Sequence, residues 1–321
     1  EIMLDFINQT NDRDINVLDF HHPSQITKAM DFSIPDTGMP LDSLVSDCRA
    51  ALRYQVKTGH PHFFNQLSQG LDIVSMAGEW LAAAANANMF TYEIAPVFIM
   101  MEHEVLLKMR EIIGWAEGDS ILAPGGSISN MYALIIARHK HFPGHKEAGM
   151  MGLERRPVLY TSKHVGVRSI FRRTYYSILE HYSIKSAAAS LGLGTSNCRE
   201  VAVDSRGRMC PADLERQISE DKSRGLQPFF VNCTAGTTVI GAFDPINDIA
   251  DICERHGVWM HIDVIVNYFI SVTKPKHPVL HYPPTIPTLS FSLWGGGPIF
   301  PFKFHLVWFL NDCNIITGDF A

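Results

Sequence analysis

The apolar positions along the chain fall into two regimes. Up to about residue 95 they are helical in character, with breaks near Asp19-Phe20-His21-His22-Pro23 and Lys57-Thr58-Gly59-His60-Pro61. A further helix is expected after Pro96, a residue suited to a first turn. Phe98, Met101, Val105, Met109 and Ile112 recur at helical spacing, and Gly114 supplies a stop. From Pro124 onward, helical and extended patterns alternate. Residues 158–160, 200–203, 229–231 and 258–262 read as strands, and 129–140, 181–191, 211–222 and 245–255 as helices. In 211–222 Leu214 and Ile218 share a face and Gly225 closes the helix; Gly257 ends the one at 245–255. Such alternation predicts an α/β fold with a mostly parallel sheet covered by helices, in which ligands are received beyond the carboxyl ends of the strands.

Two stretches break the pattern. Residues 165–180 (VGVRSIFRRTYYSILE) stand between a strand and a helix that a short loop could join. Residues 264–321 hold only five charged residues, Lys274, Lys276, Lys303, Asp312 and Asp319, yet 7 of the chain's 18 prolines, and their aromatics follow no period. A segment without a solvated face is not expected to fold as part of the domain, and should expose apolar surface. The expected organisation is a helical region over 1–95, an α/β domain over 96–263 interrupted by 165–180, and a tail over 264–321 that forms no domain.

Composition narrows the class. The chain has 321 residues, 46% hydrophobic and 19% charged, with ample material for a core, and a net charge of −6. Nothing in that balance suggests the clustered basic face that a nucleic acid requires. The six cysteines, at 48, 198, 210, 233, 253 and 313, are scattered without a C-x-x-C pair. That favours reduced cytosolic thiols over a disulfide framework or a metal site. No apolar run is long enough to span a membrane, and the start resembles neither a signal nor a transit peptide, so the expected compartment is the cytoplasm.

Several short motifs could carry chemistry. Pro124-Gly125-Gly126-Ser127-Ile128-Ser129-Asn130 opens a helix, where glycines permit close approach and unpaired N–H groups favour an anion such as phosphate; a simple helix cap is the other reading. Asp263 ends the apolar run Val258-Trp259-Met260-His261-Ile262. A carboxylate there is costly to bury unless a cation or donor meets it, and a protonated pyridine nitrogen is one candidate. An aspartate that caps the next turn fits equally. Thr234-Ala235-Gly236-Thr237-Thr238 suits either a crowded cofactor face or a tight loop. His181-Tyr182-Ser183 opens a helix, with His181 either a capping residue or a ring-stacking partner. Asn65-Gln66-Leu67-Ser68 follows two phenylalanines and could orient a carboxylate or merely end a helix.

Together these pieces resemble the group II pyridoxal-phosphate-dependent amino-acid decarboxylases, and among them the glutamate decarboxylases of animals. The resemblance is carried by Val17-Leu18-Asp19-Phe20-His21-His22-Pro23, Thr58-Gly59-His60-Pro61, Phe63-Phe64-Asn65-Gln66-Leu67-Ser68, Asn88-Met89-Phe90-Thr91-Tyr92-Glu93-Ile94-Ala95-Pro96-Val97-Phe98 and Asn232-Cys233-Thr234-Ala235-Gly236-Thr237-Thr238. It covers 1–164 and 181–263. It implies an aminotransferase-like, fold type I domain that binds pyridoxal 5′-phosphate. Gly126 and Ser127 would take the phosphate, His181 would stack on the ring, Thr238 would stand beside it and Asp263 would meet the ring nitrogen. Gln66, Leu67 and Ser68 would receive the substrate's carboxylate. The implied reaction converts L-glutamate to 4-aminobutanoate and carbon dioxide in a homodimer; cysteine sulfinate or aspartate is the rival substrate.

The sequence departs from the family pattern after Asp263. The family continues H-x-D with two alanines and W-G-G-G, then an N-P-H-K lysine that forms the Schiff base. Here His261-Ile262-Asp263 is followed by Val264-Ile265-Val266, and Trp294-Gly295-Gly296-Gly297 comes much later. Lys274, Lys276 and Lys303 follow, none in N-P-H-K. The family's small carboxyl-terminal domain is likewise without a counterpart. The resemblance thus implies a truncated, interrupted copy without the Schiff-base lysine, inactive alone or serving as a non-catalytic partner for an intact subunit.

Overall fold

A computed structural model describes residues 1–65, 70–113, 118–163, 166–167, 176–177, 182–237, 241–264, 289–297 and 300–309. The chain divides into two compact units, 1–86 and 87–321, so the boundary falls earlier than the expected residue 95.

The first unit is helical: α1 (Ile2–Thr10), α2 (Pro23–Ala29), α3 (Leu41–Arg53) and α4 (Ile73–Ala85). Local chemistry sets the helix starts. His22 N donates to Gln25 Oε1 at 2.8 Å ahead of α2, and Asp72 Oδ1 accepts from Ser75 N at 2.7 Å ahead of α4. Helix α4 is rich in Ile, Val, Met, Ala, Trp and Leu, yet none of its residues is buried.

The second unit opens with α5 (Pro96–Ile113) and continues through β1 (Asp119–Ala123), α6 (Gly126–His141), α7 (His145–Ala148) and β2 (Pro157–Ser162). Next come β3 (Gly166–Val167), β4 (Tyr176–Ser177), α8 (Ser183–Ser190), β5 (Cys198–Val201), α9 (Pro211–Ser223), β6 (Gln227–Ala235), α10 (Ile246–His256) and β7 (Trp259–Val264). Strands β8 (Leu289–Gly297) and β9 (Phe300–Phe309) complete it. Seven strands form one sheet in the order β1-β9-β8-β7-β6-β2-β5. β5, β2, β6, β7 and β8 run parallel, while β9 is antiparallel to both β8 and β1. Among the described residues, the short β3 and β4 pair with each other in a sheet of their own.

The runs PVLYTS, QPFFVNCTA and WMHIDV are buried on both faces, because helices cover both. Tyr160, Val231, Cys233, Met260 and Ile262 pack towards α9 and α10 with Leu214, Ile218 and Ile249. Leu159, Phe230 and Trp259 pack on the opposite face with Ala133, Leu134 and Ile184 of α6 and α8. A bulge lies where Val158 meets Pro228 and Leu159 meets Phe230, so Phe229 is the extra residue and both phenylalanines join the α6 side.

The tail departs from expectation. Residues 289–297 and 300–309, expected to stand outside the fold, enter the main sheet as β8 and β9. Both runs are rich in Phe, Leu and Trp and carry a single charge, Lys303. Such residues have high strand propensity, and the runs cover edges of β7 and β1 that would otherwise stand open. Pro301 lies beyond the stretch 305–309 that pairs with β1, where its missing N–H costs least. The rest of the tail beyond Val264 lies outside the described residues.

Among the described residues, Cys48, Cys198, Cys210, Cys233 and Cys253 form no disulfide. No helix among the described residues is long and apolar enough to cross a membrane.

Candidate functional site

Strand periodicity places the site. Residues two apart on a strand share a face, so Trp259, His261 and Asp263 all point towards α6 and α8. The register sets Asn232 beside His261 and Thr234 beside Asp263. Trp259 anchors the row in the core, and the polar residues follow towards the carboxyl end of the sheet.

Helix α6 supplies the facing wall. It begins after Gly125, whose φ of 123° and ψ of 154° belong to a region open to glycine alone. Ile128 N and Ser129 N both donate to Gly125 O, which leaves the N–H groups of Gly126 and Ser127 outside the helix ladder and able to meet an anion. A Cβ at Gly125 would meet nothing within 4 Å, so an alanine there would be opposed by backbone conformation rather than by crowding. Gly125→Ala is expected to cost about 1–3 kcal/mol in urea unfolding. An unchanged midpoint would show that the turn relaxes freely.

One turn beyond Ser127 on the same face of α6 stands Asn130. Its Nδ2 donates to Asp263 Oδ2 at 2.9 Å and to Ser183 Oγ at 2.8 Å. Its Oδ1 lies 2.7 Å from His261 Nε2, and the His261 ring stacks on Phe230 at 5.7 Å. All four polar side chains are buried. Burial pushes the Asp263 carboxyl up to about 6, against the opposing hydrogen bond from Asn130.

A second buried carboxylate braces the neighbouring loop. Asp244 Oδ1 accepts from Met209 N at 2.7 Å and Oδ2 from Thr234 N at 2.8 Å. Burial pushes this carboxyl too up to about 6, while those two N–H groups and Ser162 pull it down. The loop it closes is pinned further by Ala242 N, which donates to Thr237 Oγ1 at 3.0 Å, and by Gly236 N and Thr237 N, which both donate to Ala242 O.

Of the residues singled out in the sequence, Gly126, Ser127 and Asp263 are brought together through α6. Thr238, Gln66, Leu67 and Ser68 lie outside the described residues. So does His181, although Ser183, two positions on, joins the Asn130 cluster. Sequence reasoning gave no role to Asn130, Ser183, His261 or Asp244. For His261 the signal is the period of two that ties it to Asp263; Asn130 and Ser183 end two of the motifs above but carry no local sign of the cluster they join, and Asp244 carries none either.

Comparison with known proteins agrees with this architecture. Residues 23–271 match the pyridoxal-dependent decarboxylase conserved domain. The chain is 59% identical over 279 residues to the glutamate decarboxylase of Drosophila melanogaster, a match covering 87% of the chain and 52% of that protein. It thus spans about half the length of the curated relative it matches. The crystal structure of mouse CSAD superposes with a TM-score of 0.86 at 38% identity, covering 100% of this chain and 64% of that one. Oryza sativa TDC with PLP shares the fold, with a TM-score of 0.78 at 20% identity over 97% of this chain and 65% of that one.

Proposed function

Because the chain belongs to the pyridoxal-dependent decarboxylase family, we propose that the protein it represents removes the α-carboxylate of L-glutamate, giving 4-aminobutanoate and carbon dioxide. The observation that carries this is the buried Asp263, facing the helix whose first turn offers the free N–H groups of Gly126 and Ser127. The choice of glutamate follows the higher identity to the Drosophila enzyme than to mouse CSAD.

The residues fit the cofactor at both of its ends. A carboxylate whose ionisation burial opposes is suited to a protonated ring nitrogen, which adds the missing positive partner. Gly126 and Ser127 would hold the phosphate with backbone N–H groups, helped by the α6 dipole. When bound, pyridoxal phosphate supplies a ring able to accept the electron pair released as the carboxylate departs. Asp263 would hold the proton on the ring nitrogen. His181 would cover the ring face, Thr238 would flank it, and Gln66, Leu67 and Ser68 would receive the substrate's carboxylate, roles that rest on family resemblance.

Lys274, Lys276 and Lys303 are the lysines after Asp263, and none stands in N-P-H-K. The chain by itself is therefore expected to hold the cofactor without a covalent bond. Borohydride treatment with pyridoxal phosphate should leave no stoichiometrically labelled lysine, and the chain should release no carbon dioxide from glutamate. One uniquely labelled lysine together with turnover would refute this. The substrate is tested on the full-length gene product, with carbon dioxide release from carboxyl-labelled glutamate, cysteine sulfinate and aspartate. Preference for either competitor would overturn the assignment.

A homodimer is part of the same proposal. In the first unit Phe20, Ile34, Leu41 and Val74 are exposed, and in the second Phe90, Val97 and Met101. Surfaces of this kind ordinarily find a partner, and symmetric pairing is the commonest way to cover them. Sedimentation velocity at micromolar concentration is expected to show a dimer; a stable monomer would count against it.

A further inference from the structure

Resting on that cofactor reading and deepening it, we propose that Asn130 is a positioning residue of the site: its amide keeps the Asp263 carboxylate ionised and aimed, and fixes which nitrogen of His261 carries a proton.

The argument runs through hydrogen-bonding capacity. An ionised carboxylate only accepts, so the Asn130 atom 2.9 Å from Asp263 Oδ2 must be its NH2 group. Turning the amide over would set its carbonyl oxygen against an anion. That orientation spends the two amide hydrogens on Asp263 and on Ser183 Oγ at 2.8 Å, and leaves Oδ1 free only to accept. His261 Nε2, 2.7 Å from Oδ1, must then bear a hydrogen. A position that needs two donors and one acceptor, all within a buried cluster, is met by an asparagine and by no apolar residue of similar volume.

The cluster also joins three elements. Asn130 comes from α6, Asp263 and His261 from β7, and Ser183 from the first residue of α8. Because Ser127 lies one turn before Asn130, one helix sets both the phosphate-facing turn and the ring-facing carboxylate. Burial raises the Asp263 carboxyl, and the Asn130 hydrogen bond is what opposes the rise. Without that bond the carboxyl would retain its proton nearer neutrality, and a neutral acid does not hold a proton on a pyridine nitrogen.

The test uses the chain itself with Asn130→Leu and the smaller Asn130→Ala, each checked for folding by circular dichroism. In the parent, nitrogen NMR of labelled histidines should show His261 protonated at Nε2. A His261 carrying its proton only on Nδ1 would overturn the proposal without any variant or ligand. The ligand probe is pyridoxine 5′-phosphate labelled at the ring nitrogen, which has no carbonyl to react with lysines. The parent should protonate the bound ring nitrogen at neutral pH. The variants should bind the probe at least about tenfold more weakly, with the ring nitrogen unprotonated, while inorganic phosphate binds all three alike. Equal ring-nitrogen shifts in parent and variants would remove the role of Asn130 and leave the cofactor reading standing. A parent that fails to bind the probe would remove both.

Discussion

Asp263→Asn is expected to lower affinity for pyridoxal phosphate by about 10- to 100-fold, the weight of one charge-assisted hydrogen bond to a buried ion. The same variant should change how stability depends on pH in the absence of cofactor. Burial raises the folded carboxyl to about 6, from an ordinary 3.8. Between those values the folded chain binds a proton more readily than the unfolded one, so this group's contribution to stability is present at pH 4 and lost as pH rises through 6. The difference corresponds to about 3 kcal/mol. Asp244, also raised to about 6, acts in the same direction and remains in the variant. Urea unfolding of parent and variant from pH 4 to 7 should therefore show the variant gaining relative to the parent as pH rises. Parallel profiles would mean that Asp263 is not suppressed in the folded chain.

The second large effect lies on the opposite face of the sheet. Asp221 of α9 is buried and accepts from Tyr160 Oη at 3.0 Å, from Arg199 Nε at 3.1 Å and from Arg199 Nη2 at 3.3 Å. Burial first, and the Asp221 charge second, push the Tyr160 hydroxyl far above its ordinary range, so it serves only as a neutral donor. Asp221→Ala strands that hydroxyl and the half-buried guanidinium together, and should cost about 3–5 kcal/mol of unfolding free energy. Tyr160→Phe removes one neutral donor and should cost about 1 kcal/mol. Affinity for pyridoxal phosphate should stay unchanged in both folded variants, since neither touches the α6 face. A loss below 1 kcal/mol for Asp221→Ala would show that water replaces the carboxylate.

How far these features could be read in the sequence depends on whether the signal was local. The runs ending in Tyr160, Val231 and Ile262 announced strands because burial on both faces leaves no polar interruption. Asp263 stood out because a carboxylate closes such a run. β1 escaped: Asp119 and Ser120 open it, it is only five residues long, and its burial is partial, so no period emerges. Residues 289–309 escaped for a different reason, since strands are identified there by the neighbours they pair with rather than by alternation. Asn130 was invisible as a site residue because a polar residue within a helix usually reads as a solvated position. Its meaning comes from Ser183, His261 and Asp263, which only the tertiary fold brings to it.

The place of β9 between β1 and β8 sets a schedule for biosynthesis. Asp119 pairs with Phe309, so β1 leaves the ribosome about 190 residues before its sheet neighbour. At ordinary translation rates that interval is on the order of 10–40 s, far longer than a strand needs to find a partner. β7 likewise waits for β8. Until β9 emerges β1 has no neighbour in this sheet, and from Val264 until β8 emerges β7 presents an open edge as well. Wherever the ribosome pauses within the tail, those edges are the surfaces a chaperone would have to shield.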